Sequence, residues 1–189
     1  MLPTFHSVLS SLPTTHHPLT TAMTFTSELR ASLGWNWTDG AVDNDRLDYT
    51  QQLPEGNGDG QAEAVWHVVE QTLLDGASLT LDLTALHRTV LGDDHVVALL
   101  TVKAILIVNH NTAGGSLVVG GAATNEWSAP FAAAGDKIAV PPDSPLLLAN
   151  RSAGWPVDAT HRNLKLAATG GNVTYSIAIL GTTTAPASA

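Results

Sequence analysis

The sequence predicts an all-β protein: an antiparallel β-sandwich with jelly-roll-like connections, preceded by an N-terminal arm and a short helix. Three observations carry this. Apolar runs of strand length recur at roughly the 8–12-residue spacing of sandwiches and barrels. Clusters of Gly, Pro, Asn and Asp separate them, where an α/β chain would place helix-length periodic segments. At 189 residues the chain is long enough to bury roughly 70% of its unfolded surface without staples. An immunoglobulin-like sandwich is the second arrangement this pattern allows. The expected division is an arm, helix and acidic or Gly-rich loops over residues 1–60, a sandwich over 61–181 and a flexible tail over 182–189.

Met1 to Ala22 is rich in Thr, Ser, Pro and His and lacks the basic and apolar regions of a signal peptide. It reads either as an extension upstream of a start at Met23 or as an arm that orders against a partner. Thr26 to Leu33 has capping-type hydroxyls and leucines one helical turn apart, at Leu29 and Leu33, so a short helix ended by Gly34 is expected. Trp35-Asn36-Trp37 then fits a brief extended piece whose aromatics either cover the sheet or stack on a ligand. Asp39, Asp43, Asp45 and Asp48 suggest a solvated acidic loop, because the calcium-loop pattern of alternating ligands, central Gly and terminal Glu is missing. Pro54 to Gly60 is loop, its alternate glycines favouring positive φ, and no Gly-Lys-Ser/Thr follows to make a phosphate cradle.

Strands are expected at Ala64–Val69, at Ser78–Leu83 with strict alternation, and at Val96–Leu100 after an Asp93-Asp94 turn. Thr101–Asn109 is almost continuously apolar and belongs at the centre of the stack. Ser116–Val119, Lys137–Val140, Pro145–Ala149, Leu164–Ala168 and Val173–Leu180 complete the set. Gly120 and Gly121 should release the chain from its strand into a tight crossing. Trp127 and Phe131 should then plug the end of the sandwich or, alternatively, form a contact surface.

The composition disfavours several functions. A formal charge of −9 with scattered lysines and arginines repels phosphate backbones, so no nucleic-acid partner is expected. No run approaches the roughly 20 apolar residues of a membrane helix, and no membrane partner is expected. Cysteine is absent, which removes disulfides and thiolate metal sites. The eight histidines lack His-x-His or His-Glu-x-x-His spacing, and no Gly-x-Ser-x-Gly elbow occurs. We therefore expect no catalytic residues, cofactor or metal.

Four stretches carry a resemblance: Val102 to Ile107, Val118 to Phe131 (Val-Val-Gly-Gly-Ala-Ala-Thr-Asn-Glu-Trp-Ser-Ala-Pro-Phe), Pro145 to Leu148, and Val173 to Gly181 with Tyr175. Together with Gly58 to His67 they make the chain resemble small virion structural proteins of tailed bacteriophages, associated with the head or the tail. The resemblance implies a non-enzymatic role in the virion, assembled in the host cytoplasm, with the major capsid protein or other virion proteins as partners and a homo-oligomeric state. The first 22 residues lie outside it. The two functions it leaves are a head decoration or cement protein and a tail-associated receptor- or carbohydrate-binding domain. Trp35, Trp37 and Trp155 are the candidate partner contacts, since exposed indoles beside Asp and Asn in one shallow pocket would suit sugar rings.

Overall fold

A computed structural model describes residues 25–38, 40, 42–90 and 92–184. The expected arm lies outside the described residues, as does the tail beyond residue 184. Among the described residues there are thirteen β-strands and no helix, and every pairing between strands is antiparallel.

The first two, β1 (Thr26–Thr38) and β2 (Val42–Pro54), form a two-stranded ribbon in continuous register from Thr26 opposite Pro54 to Thr38 opposite Val42. This corrects the expected helix over Thr26–Leu33. A spacing of four fits a helix turn, but it also fits two steps of a strand, and Leu29, Ala31, Leu33, Trp35 and Trp37 continue the period of two. It also corrects the acidic loop, because Asp43, Asp45 and Asp48 lie within β2. Asp39 lies outside the described residues, and Gly40, in the connection, has a φ of 71°. Asp-Gly between alternating segments is a strong hairpin signal.

The remaining strands build two packed sheets. One has the order β10 (Ser144–Ala149), β7 (Thr101–Asn109), β13 (Val173–Thr182), β3 (Ala64–Leu73). The other has the order β4 (Ser78–Asp82), β12 (Asn163–Thr169), β8 (Ser116–Gly120), β9 (Lys137–Val140). The two-residue β11 (Trp155–Pro156) adds to β7, and β5 (Leu86–Val90) pairs with β6 (Asp93–Val97) as a separate hairpin. Thus Asp93 and Asp94 belong to a strand, and the piece expected at Val96–Leu100 begins earlier and ends at Val97.

The core lies between the two sheets. Val173, Tyr175, Ile177 and Ile179 of β13 and Ile105 and Ile107 of β7 face Leu117 and Val119 of β8 and Leu164 and Leu166 of β12. Strict alternation in β12 and β13 places one side chain in two at this seam. In β7 the pattern breaks. Ala104 is opposite Leu180 while Val102 is opposite Gly181, so Lys103 is an extra residue, a bulge that reverses the phase of the strand. Lys103 is buried, and its ammonium donates to the carbonyls of Gly58 (3.2 Å) and Ser152. Burial lowers its pKa from the ordinary lysine value, opposed by the nearby Asp59 charge.

At the other end of β13, Thr182 is buried and its hydroxyl lies 2.7 Å from that of Thr101. The following Thr183 and Thr184 donate from both backbone and hydroxyl groups to one oxygen of Glu63, at 2.7–3.1 Å. The chain expected to loosen at Thr182 is therefore held as far as Thr184.

Candidate interaction surface

The ribbon sorts its residues by face. Residues directly opposite in an antiparallel pair share a face. Pairing Leu29 with Gln51, Ala31 with Tyr49, Leu33 with Leu47, Trp35 with Asp45 and Trp37 with Asp43 makes one side largely apolar. The reverse side carries Glu28, Arg30, Ser32, Arg46, Asp48 and Gln52. These polar groups satisfy one another: Arg46 meets Asp48 at 2.6 Å, Ser32 Oγ donates to Asp48 at 2.6 Å, and Glu28 accepts from both Arg30 and Gln52. The Glu28 carboxylate beside it raises the Arg30 pKa through a side-chain hydrogen bond and its charge.

Among the described residues, the apolar side is covered only at its base. Leu29 and Leu53 are buried in a small cluster with Ala62 and Ala104, packed against Phe25, Leu147 and Leu180. Beyond Arg30 the same side is open: Leu33 is 68% exposed, Trp37 61% and Leu47 69%, with Trp35 and Tyr49 also exposed. Thirteen-residue strands rising about 3.3 Å per residue carry this face roughly 40 Å. A lone two-stranded ribbon is marginal in water, and a contiguous exposed apolar stripe marks a binding surface.

The ribbon base rests on the outer face of the β10-β7-β13-β3 sheet, and that face is apolar as well. Outward-facing Ala104, Leu106 and Val108 alternate with the inward Ile105 and Ile107 along β7, which explains the near-continuous apolar run. Leu106 and Val69 are exposed there. Two hollows flank Leu106. One of about 230 Å³ lies against the ribbon base, between Val65, Ala104, Leu147 and Leu180, and one of about 170 Å³ lies between His67, Val69, Val108 and Ser176.

The three candidate contact tryptophans lie in two places. Trp35 and Trp37 lie together on the ribbon, and Trp35 opens onto a shallow hollow with Asn36, Asn44, Asp45 and Arg46. Trp155 is half-buried on β11, edge-on to Trp127 with ring centroids 6.2 Å apart, so it belongs to the end of the sandwich. Trp127 is fully buried and donates from Nε1 to the Pro156 carbonyl at 2.8 Å. Phe131 packs partly buried on the same core. Gly120 ends β8 with φ 105°, and Gly121 follows with φ 69°. A Cβ on Gly120 would lie 2.5 Å from the Asp136 carbonyl and 3.3 Å from the Phe131 ring. Glu126 organises this loop by accepting from the amides of Gly121 (2.9 Å) and Gly135 (2.8 Å).

Among the described residues no group of three His, Asp or Glu side chains is placed to hold a metal. His87 pairs with Asp94 at 2.8 Å, and His161 pairs with Asp158. Asp158 sits well below the usual carboxylate range because the Thr160 hydroxyl and amide and the His161 ring and amide hydrogen-bond to it. His110 Nε2 lies 2.7 Å from Ser176 Oγ, which also accepts the Glu70 amide at 3.0 Å. That is a nucleophile-and-base pairing in type, but among the described residues no carboxylate bonds the other ring nitrogen to orient it. The residues that complete the apolar face with Trp35 and Trp37 are Leu33, which the sequence assigned to a helix, and Leu47 and Tyr49, which it passed over. Their signal was the period of two on both sides of Asp39-Gly40.

Fold and surface together define an all-β, sandwich-like protein with a projecting amphipathic ribbon. No family model, no curated protein and no solved structure matches the chain.

Proposed function

We propose that this chain is a non-enzymatic structural protein of a tailed-bacteriophage virion, acting as a head decoration or cement subunit that bridges major capsid protein or other virion proteins. The observation that carries this is the ribbon, whose apolar side from Ala31 to Trp37 is exposed, with no cover from the described residues along most of its length. Such an element is completed by a partner, and burying its apolar side chains would supply about 1.5–3 kcal/mol for each large one fully covered. The sheet orders support the jelly-roll reading: β3-β13-β7-β10 and β4-β12-β8-β9 interleave early and late strands, as a double Greek key does. That architecture recurs in capsid proteins and in lectins, so it suits both functions.

The second reading, a tail-associated receptor- or carbohydrate-binding domain, is favoured by one observation: exposed Trp35 shares a hollow with Asn36, Asn44 and Asp45. Against it, Trp155 is packed on Trp127 and does not contribute a second stacking platform.

Mass spectrometry of purified particles with copy number tests the proposal. Many copies per particle support decoration, a few copies support the tail reading, and absence from particles overturns both. Trp35→Ala separates them further, since loss of glycan binding with normal incorporation would favour the second.

A further inference from the structure

We infer that the outer face of the β10-β7-β13-β3 sheet is the seat for the ribbon of a second copy of this chain, with Trp35 and Trp37 of the neighbour entering the two hollows beside Leu106. The inference rests on the reading of the ribbon as an assembly element and names its first partner.

Four observations lead there. First, the contact already exists in part within one chain, where Leu29 and Leu53 of the ribbon base pack on Ala104, Leu147 and Leu180 of this same face. The chemistry that this sheet accepts is therefore the apolar side of a β-ribbon. Second, seven of the eleven exposed large hydrophobic residues among the described ones fall on these two surfaces: Leu33, Trp35, Trp37, Leu47 and Tyr49 on the ribbon, Val69 and Leu106 on the sheet. Third, the hollows have the right spacing. Along β7 the first is bounded by Ala104 and Leu106 and the second by Leu106 and Val108, one two-residue repeat apart. Trp35 and Trp37 are also one two-residue repeat apart on one ribbon face, so both pairs are separated by about 7 Å. Fourth, volumes of about 230 and 170 Å³ are on the scale of a single aromatic ring, given that a cavity of about 150 Å³ accepts benzene.

Charge is consistent with this. Among the described residues, the ionisable groups lining the hollows are Glu28 and Arg30 of the ribbon base, which pair with each other, and the His67 imidazole. A neighbour's ribbon, which has Asp45 opposite Trp35 and Asp43 opposite Trp37, thus meets no lining carboxylate except one already paired. Each copy both gives a ribbon and accepts one, so the contact is satisfied throughout when the set closes as a reciprocal pair or a ring.

Complementation in trans tests this on the full chain. The wild type is expected to run as a discrete oligomer by light scattering. The double variant Trp35→Ala/Trp37→Ala has a damaged ribbon and an intact seat; Leu106→Asp has the reverse. Each alone should be monomeric, with near-UV circular dichroism reporting an intact Trp127 environment, and an equimolar mixture should regain association. A monomeric wild type, oligomers that survive both substitutions, or a mixture that stays monomeric would overturn the inference. Removing residues 1–22 should leave the oligomer unchanged; its loss in that variant would assign the face to the N-terminal segment instead. A protein monomeric in solution yet abundant in particles would end this inference while leaving the proposed function standing. Absence from particles would end the function whatever the oligomer.

Discussion

Leu53→Ala isolates the joint between ribbon and sandwich. Leu53 is 1% exposed and belongs to the small cluster under the ribbon base, separate from the main core. Buried Leu→Ala changes cost about 2–5 kcal/mol, and a small cluster at the rim of a sheet can relax into part of the space, so the lower end, about 2–3 kcal/mol, is expected. Because no main-core contact is removed, the loss falls on local opening of the ribbon. At about 1.4 kcal/mol per factor of ten, opening should become roughly 30- to 140-fold more frequent. Amide hydrogen exchange reads this by segment: protection should fall in 26–30 and 50–54 and stay unchanged in β7 and β13. Uniform loss across the sandwich, or an unchanged ribbon base, would refute the reasoning that ribbon and sandwich are separately stabilised.

Three further outcomes are expected. Trp127→Ala empties the largest fully buried side chain and should cost about 3–5 kcal/mol, lowering Tm by about 6–20 °C in calorimetry. Gly120→Ala puts a Cβ against the Asp136 carbonyl at a φ of 105° and should lose about 1–3 kcal/mol, read from the urea midpoint. For Glu63, burial would raise the pKa, but the donors from Thr184 and Thr183 outweigh it and hold the carboxyl below its ordinary 4.5. A depressed folded pKa stabilises above the unfolded value, and that contribution is lost as pH falls through the folded value. Protection of the Thr183 and Thr184 amides should therefore drop in acid, and Glu63→Gln should remove most of that pH dependence.

Much of the sandwich was legible because its strands are self-announcing. Thr101–Asn109 and Lys137–Val140 have the same bounds in sequence and structure, and Val173–Leu180 extends by only two residues to Thr182. These runs are apolar, β-branched and bounded by turn residues, so local propensity and tertiary burial agree. The ribbon was misread because β2, from Val42 to Pro54, is charged and polar enough to resemble a loop, and Leu29 and Leu33 satisfy a helical and an extended spacing equally. Cross-strand pairing with Leu47 and Tyr49 removes the ambiguity, since a helix would scatter those partners over different faces.

By itself the sequence determined an all-β chain, the positions of its core strands, and the release of the chain from its strand at Gly120 and Gly121, which the structure gives φ values of 105° and 69°. These follow from side-chain period and backbone sterics, which are local. Only the tertiary structure decided which sheet each strand joins, where the Lys103 bulge reverses β7, and which side of that apolar strand is core and which is open surface. The physical reason is that Ile105 and Leu106 have much the same hydrophobicity, and only what packs above each one separates a buried seam from an interface.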